Sequence, residues 1–331
     1  TQEGRDGVGE WLPRFLSFPC HPRGGETILA TPEQHGGVSG GVGLRSGRGW
    51  EGESGVANRL WRLGHHSMSC EAEASGNIKS INSLTGKTKW TKETNFLSAG
   101  ISAGFGILII ADVDGNVISL DQNNGSTLWT SNVKGEVLAP AAIDTKFVVV
   151  KTGSGELLGL DKTSGEIVWS YRSKLPALTI RGSSSPVIDN NMVYATFDNG
   201  RLGVFELDSG YPVWDGAISY VTGSSELENL IDSDSSPVVD NGLIFTTNYQ
   251  GNINIFDIAQ KRSIWQSEAS SFYSPLLMRG LIILVESKSN LKTFVSKNLE
   301  ESWKSNEYFN RSLSNPVSFN GYLVFGDFEG Y

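Results

Sequence analysis

The stretch SGELLGLDKTSGEIVW, from Ser154 to Trp169, decides the fold of this chain because five other segments repeat its pattern. All six segments are 16 residues long, start at residues 75, 114, 154, 199, 250 and 288, and close on a tryptophan: Trp90, Trp129, Trp169, Trp214, Trp265 and Trp303. Successive tryptophans are 38 to 51 residues apart, and the final residues, EGY from Glu329, open another copy. The sequence therefore predicts six repeat units and the start of a seventh.

The residue order within each unit predicts a turn, a strand, a tight turn and a second strand that ends near the tryptophan. Over residues 157–161, side chains alternate with the period of two that is typical of a strand. Gly165, in the turn DKTSGE, is suited to a positive φ. Another apolar run, such as KFVVV at 146–150, precedes each of the later units, and a proline precedes that run: Pro140, Pro186, Pro237, Pro275 and Pro316.

About four short strands per roughly 40 residues is the signature of a β-propeller blade. A helical solenoid needs apolar faces with a period of 3.6, and none appears in the sequence. An irregular β-sandwich does not explain a tryptophan at one fixed place in every unit. The predicted fold class is all-β, a β-propeller of four-stranded blades, and each tryptophan is interpreted as a structural side chain packed between blades.

Composition excludes several classes of function. The net charge of −9 argues against a nucleic-acid partner, which requires a basic face. No apolar run approaches the ~18 residues of a membrane-spanning helix. Two cysteines, Cys20 and Cys70, can form neither a disulfide framework nor a four-cysteine zinc site. The start of the chain also lacks the pattern of a signal peptide.

Residues 1–70 differ in composition from residues 71–331. They hold seven arginines and no lysine, together with all four histidines and both cysteines. Such Gly/Arg-rich composition predicts an aberrant or disordered segment, with DGVGEW at Asp6–Trp11 as a remnant of a first blade. A metal site built from His21, His65, His66 and Cys70 is an alternative, but their spacing fits no standard zinc motif, and no metal is predicted.

The repeat resembles the tryptophan-docking motif of quinoprotein (PQQ-type) propellers, as LDKTSGEIVW and LDQNNGSTLW show. The linkers are more specific. KLPALTIRGSSSPVIDNNMVYATFDNGRLG (Lys174–Gly203), TGSSELENLIDSDSSPVVDNGLIFTTNYQGNI (Thr222–Ile253) and NPVSFNGYLVFGDFEGY (Asn315–Tyr331) resemble the BamB family, lipoproteins of the outer-membrane β-barrel assembly machinery.

This resemblance implies an eight-bladed, non-catalytic propeller without a cofactor or a small-molecule substrate. It implies a location at the periplasmic face of the outer membrane in Gram-negative bacteria, and binding to the periplasmic (POTRA) domains of BamA. Unfolded outer-membrane proteins are a further partner that it suggests. Against the family, the chain is expected to be C-terminally truncated, and neither LSFPC at Leu16–Cys20 nor SMSC at Ser67–Cys70 matches the family's lipid-bearing motif.

A PQQ-dependent dehydrogenase is the enzyme alternative, because those enzymes share the repeat. They resemble this chain no further, since it lacks their vicinal cysteine pair and residues 71–331 hold no histidine. Carboxylates such as Asp121 and Asp161 recur at the same place in the repeat, which indicates turn capping and not catalysis.

The connections between units point to a binding surface. From Trp169 to Pro186 and from Trp214 to Pro237 the chain takes 17 and 23 residues, against 10 to 13 elsewhere. Two adjacent blades are thus predicted to carry enlarged loops on one rim, where binding residues commonly lie.

Register within these loops selects candidate partner-binding residues. Arg181 lies five residues before Pro186, and Asp232 lies five before Pro237, so the two are expected at equivalent positions on neighbouring blades. Apolar anchors beside an arginine are typical of a binding hot spot. The candidates are Leu175, Leu178, Ile180, Arg181, Asp232 and Asp234.

The resemblance implies the same choice. The family's LxLR and DxD segments, which contact BamA, match Leu178, Ile180 and Arg181, and then Asp232 and Asp234, with Ile180 in place of a leucine. An internal Arg–Asp pair that only fixes loop conformation is the structural alternative. A docking module for another periplasmic protein is the alternative function.

Overall fold

The computed structural model describes residues 44–45, 60–65, 68–174, 183–218, 235–249 and 251–327. The elements in these residues are all β-strands, and they pair antiparallel in successive sheets that follow chain order. None of the described residues forms a helix of the length and hydropathy needed to cross a bilayer. The all-β prediction is confirmed.

We call the sheets blades 1 to 7. Blade 1 has five strands: β1 Leu44–Arg45, β2 Leu60–His65, β3 Met68–Glu73, β4 Asn77–Asn82 and β5 Thr88–Glu93. Blade 2 comprises β6 Ser102–Gly104, β7 Ile107–Ala111, β8 Asn116–Asp121 and β9 Thr127–Asn132. Blade 3 comprises β10 Ala142–Ile143, β11 Phe147–Lys151, β12 Glu156–Asp161 and β13 Ile167–Arg172.

The later blades follow the same plan. Blade 4 comprises β14 Val187–Asp189, β15 Met192–Phe197, β16 Arg201–Glu206 and β17 Pro212–Ala217. Blade 5 comprises β18 Val238–Asp240, β19 Leu243–Thr247, β20 Asn252–Asp257 and β21 Arg262–Glu268. Blade 6 comprises β22 Leu276–Met278, β23 Leu281–Val285, β24 Leu291–Val295 and β25 Glu301–Ser305, and blade 7 comprises β26 Val317–Phe319 and β27 Tyr322–Val324.

Blade 1 takes strands from residues that the sequence set apart. Strand β2 lies wholly within residues 1–70, and β3 crosses the predicted boundary at residue 71. All six antiparallel partners of β3 in β2, from Leu60 to His65, precede that boundary, by up to eleven residues. The repeat pattern begins only at Ser75, so periodicity alone could not find these strands.

The blades are arranged around a centre formed by their first strands. β6 contacts β10, β10 contacts β14, β14 contacts β18, and β22 contacts β26. Sheets that meet their neighbours through the first strands converge at that edge, and their fourth strands then lie outermost. This is the propeller architecture predicted from the repeat, and the described residues form six full blades and two strands of a seventh.

The hydrophobic core lies between the blades. One cluster joins Ile109 and Val117 of blade 2 to Val148 and Leu160 of blade 3, and five similar clusters fill the other interfaces. Every residue of β11 is buried, and so are residues 157–160 of β12. The alternation in β12 therefore does not separate a buried face from a solvent-exposed one, because a neighbouring blade covers each face.

Three blade tryptophans dock on the next blade in the same way. The Trp90, Trp129 and Trp169 Nε1 groups donate to backbone carbonyl oxygens seven residues before the next tryptophan, at distances of 3.2, 2.7 and 2.8 Å. Each ring covers a glycine in the next blade's last turn. A Cβ added at Gly125, Gly165 or Gly210 would lie 2.4 to 2.6 Å from that ring.

The docking changes farther along the chain. Lys261 and Leu299 occupy the turn position that glycine holds in earlier blades, and both keep a positive φ, at 53° and 61°. Trp214 tilts against Phe256, with ring centroids 6.0 Å apart, and Trp265 packs edge-on against Phe294 at 5.0 Å. Trp303 packs against the core between blades 6 and 7.

Candidate partner-binding rim

In blades 2 to 6 four antiparallel strands follow in the same order, so the connections from a fourth strand to the next first strand all start and end on one side of the molecule. We call this side the crossing rim. The two enlarged crossings, 173–186 and 218–237, start and end on this rim, and they lead into blades 4 and 5. The hairpins between second and third strands lie on the same rim.

All six predicted contact residues fall outside the described residues. Leu175, Leu178, Ile180 and Arg181 lie between Lys174 and Ser183, and Asp232 and Asp234 lie just before Ser235. The structure describes the chain on both sides of each gap, so it defines how the two crossings are held at their ends.

Asparagines of the following blade hold the start of each enlarged crossing. Asn199 Nδ2 in the second hairpin of blade 4 donates to Ser173 Oγ at 3.0 Å and to the Lys174 carbonyl at 3.1 Å. Asn254 Nδ2, on β20, donates to the Ile218 carbonyl at 2.7 Å. Both crossings therefore leave their blade at a fixed point.

A buried lysine holds the end of the first crossing. Lys151 closes β11 and is only 4% exposed. Its Nζ donates to Ser184 Oγ and, at 2.9 Å, to the Thr196 carbonyl of blade 4. Ser184 Oγ also donates to the Thr196 carbonyl, at 3.2 Å.

Threonines play the same part at the second crossing. Thr196 Oγ1 donates to the Ser235 carbonyl at 3.1 Å, and Thr247 Oγ1 lies 2.7 Å from both Ser235 Oγ and the Tyr273 carbonyl. Ser235, Thr196 and Thr247 are each 1% exposed. Sequence reasoning missed these residues, although a polar residue ending an apolar run, as in VVVK and LIFTT, was a usable signal.

An aromatic pair adds apolar surface to this rim. Tyr249, in the second hairpin of blade 5, stacks on Phe272 of the next crossing, with ring centroids 4.4 Å apart and an interplanar angle of 14°. Both side chains are partly exposed. No repeat position marked either residue in the sequence.

Hydrogen bonds within turns hold the repeated carboxylates, and burial covers the Cys70 thiol. Asp121 Oδ1 and Asp161 Oδ1 each accept two backbone N–H groups of their own turn. The backbone N–H of Ser164 is the main cause that lowers the pKa of Asp161. Burial raises the pKa of the Cys70 thiol to about 11, so the thiol stays protonated at neutral pH. Among the described residues, His, Cys, Asp and Glu side chains form no metal-binding group of three.

Comparison with known proteins gives the family. The family model for the outer membrane protein assembly factor BamB matches residues 74–305. The chain belongs to the BamB family.

BamB proteins of known sequence match most of the chain. The outer membrane protein assembly factor BamB of Yersinia pestis is 30% identical over 272 residues, which cover 78% of this chain and 69% of that protein. BamB of Nitrosomonas eutropha is 32% identical over 262 residues, covering 78% and 64%. The chain thus spans about two thirds of the length of these relatives.

A solved BamB structure shares the architecture. The crystal structure of BamB from Moraxella catarrhalis superposes with a TM-score of 0.74 at 27% identity, covering 79% of this chain and 80% of that one. The computationally designed Ika8 protein, at 10% identity and a TM-score of 0.66, shares the fold alone.

Proposed function

We propose that this protein is a non-catalytic scaffold in the assembly of outer-membrane proteins, and that it acts at the periplasmic face of the outer membrane. Membership of the BamB family carries the proposal, since the relatives are named outer membrane protein assembly factors. The partner proposed is BamA, bound through its periplasmic POTRA domains. Unfolded outer-membrane proteins are a second class of ligand consistent with this role.

Several features of the described residues support a scaffold. The turn carboxylates Asp121 and Asp161 are used as backbone caps, and the Cys70 thiol is buried and protonated. Hydrogen bonds across the blades hold the ends of both enlarged crossings in place. A rigid frame with fixed loop ends favours recognition of a protein surface, because less conformational freedom is lost on binding.

The contact surface proposed is the pair of enlarged crossings. Leu175, Leu178 and Ile180 supply apolar contact, and Arg181 supplies a positive charge beside them. Asp232 and Asp234 place negative charge at the equivalent part of the next crossing. Charges of both signs on one surface select a partner with the complementary arrangement and speed its association.

Charge reversal on the crossings tests this function. Arg181→Glu and Asp232→Arg are expected to weaken binding to purified POTRA domains about tenfold or more, because each reversal puts like charges together across the interface. The measurement is a titration by calorimetry or surface plasmon resonance, with circular dichroism to verify the fold.

Matched controls lie on the opposite rim. Arg262→Glu and Asp240→Arg make the same charge changes at exposed turns of blade 5. They are expected to leave binding unchanged. Equal effects of the crossing and control variants would show that net charge decides binding, and unaltered binding by both crossing variants would refute the proposed surface.

A further inference from the structure

Among blades 2 to 6, one strand position is polar only in the three blades that the enlarged crossings join. It is the fifth residue of the second strand, which faces an apolar residue of the third strand in each of blades 2 to 6. From blade 2 to blade 6 its occupants are Ala111, Lys151, Thr196, Thr247 and Val285. All five are buried, and the three polar ones belong to blades 3, 4 and 5.

The three polar side chains form a continuous chain of contacts from blade to blade. Lys151 of blade 3 reaches Ser184 at the entry to blade 4, and Thr196 of blade 4 reaches Ser235 at the entry to blade 5. Thr247 of blade 5 reaches the Tyr273 carbonyl at the entry to blade 6. We call Lys151, Ser184, Thr196, Ser235 and Thr247 the entry ladder.

The entry ladder is accompanied by direct bonds between the entry segments. The Ser185 N–H donates to Ser236 Oγ at 2.8 Å, which joins the end of the first enlarged crossing to the end of the second. Ser274 Oγ in turn donates to the Ser236 carbonyl at 2.8 Å. The ends of the two crossings therefore have one common support.

The fold itself does not require polar groups at this position. Ala111 and Val285 fill the same place in blades 2 and 6, where they are buried without a side-chain donor. A buried polar group is tolerated only when its hydrogen bonds are made, and those bonds are directional. Hydrogen bonds at this position fix the distance and orientation between one blade and the next crossing, which an apolar contact does not.

We propose that the entry ladder is a positioning device that sets the two enlarged crossings in one fixed relation, so that a single partner contacts both. Lys151, Thr196 and Thr247 are its positioning residues. This inference rests on the proposed function, because it assigns the residues that hold the proposed binding surface in place.

Two adjacent threonines allow a matched test. Thr247 is in the ladder, whereas Thr246 is equally buried and its Oγ1 has no hydrogen-bond partner within the described residues. Thr247→Val and Thr246→Val make the same isosteric change on one strand. Thr247→Val is expected to weaken POTRA binding about fivefold to tenfold, which corresponds to the loss of one or two buried hydrogen bonds. Thr246→Val is expected to bind like the parent, and Thr247→Ser to restore binding.

Hydrogen exchange in the free protein supplies a measurement that needs no partner. Peptides that cover residues 235–240 are expected to exchange faster in Thr247→Val than in Thr246→Val, at equal unfolding midpoints. Identical exchange and identical binding in the two variants would overturn the ladder. If the parent protein binds no POTRA domain, the proposed function fails, and the exchange comparison alone decides whether the ladder holds the crossings.

Discussion

A glycine four residues before the blade tryptophan has two separate roles. Its positive φ closes the last turn, and its lack of a side chain makes room for the preceding blade's indole ring. Gly165 serves both roles, with a φ of 74° and the Trp129 ring 2.5 Å from the place of a Cβ. Gly86 serves only the first among the described residues, since its φ is 67° and a Cβ there would meet none of their atoms within 4 Å. The repeat in the sequence indicates the turn-closing role, which these glycines share, but it does not indicate which of them also make room for an indole ring.

Alanine at the two glycines separates these contributions. Gly86→Ala is expected to lower the free energy of unfolding by about 1 kcal/mol, because only the left-handed backbone conformation disfavours the new side chain. Gly165→Ala is expected to lower the free energy of unfolding by ~1–3 kcal/mol more than Gly86→Ala, since the methyl group also displaces Trp129. Urea unfolding of the two variants measures the difference, and equal losses would show that the ring moves aside freely.

Blade interfaces are not equivalent, although the elements that form them repeat. Between blades 1 and 4 each tryptophan donates a hydrogen bond to the next blade and covers a glycine. At the next two interfaces Lys261 and Leu299 replace that glycine, and the tryptophans pack against phenylalanine instead. Lys261 and Leu299 lie in turns between third and fourth strands, so the change in docking falls on the rim opposite the enlarged crossings.

Tryptophan-to-phenylalanine variants measure how much the hydrogen bond from the indole N–H to the next blade contributes to stability. Trp169→Phe is expected to destabilise the protein by about 1 kcal/mol more than Trp214→Phe, because of the two indoles only that of Trp169 donates to a backbone carbonyl among the described residues. Both variants lose comparable ring area, which makes the second a control for the first. Thermal unfolding followed by tryptophan fluorescence gives the comparison, and an equal or reversed order would contradict the role assigned to the indole N–H.

Burial differs between the strands of one blade in the described residues. Second strands such as β11 and β7 are buried throughout, whereas the outermost strands β9 and β13 expose residues such as Leu128 and Val168, at 50% and 53%. Local opening starts where few buried contacts hold the backbone. The second strands are therefore expected to be the most stable part of the described blades.

Hydrogen exchange followed by mass spectrometry tests this distribution. Peptides from β7, β11 and β15 are expected to exchange tenfold or more slowly than peptides from β9 and β13, since the outer strands are paired on one edge only. Uniform exchange across a blade would mean that each blade opens as one unit, against the order expected from burial.

The sequence by itself determined the repeat and its six units, the place of each tryptophan and the two crossings that are enlarged. These features depend on residues close together in the chain, whose spacing is visible in one copy and checked by the others. Only the tertiary structure decided that both faces of β12 are covered, that β2 joins blade 1, and that Lys151, Thr196 and Thr247 bond to the next blade. Strand β2 lies before the first copy of the repeat, so no pattern marks it. The bonds of Lys151, Thr196 and Thr247 join residues 26 to 45 positions apart, and they depend on how one sheet lies against the next.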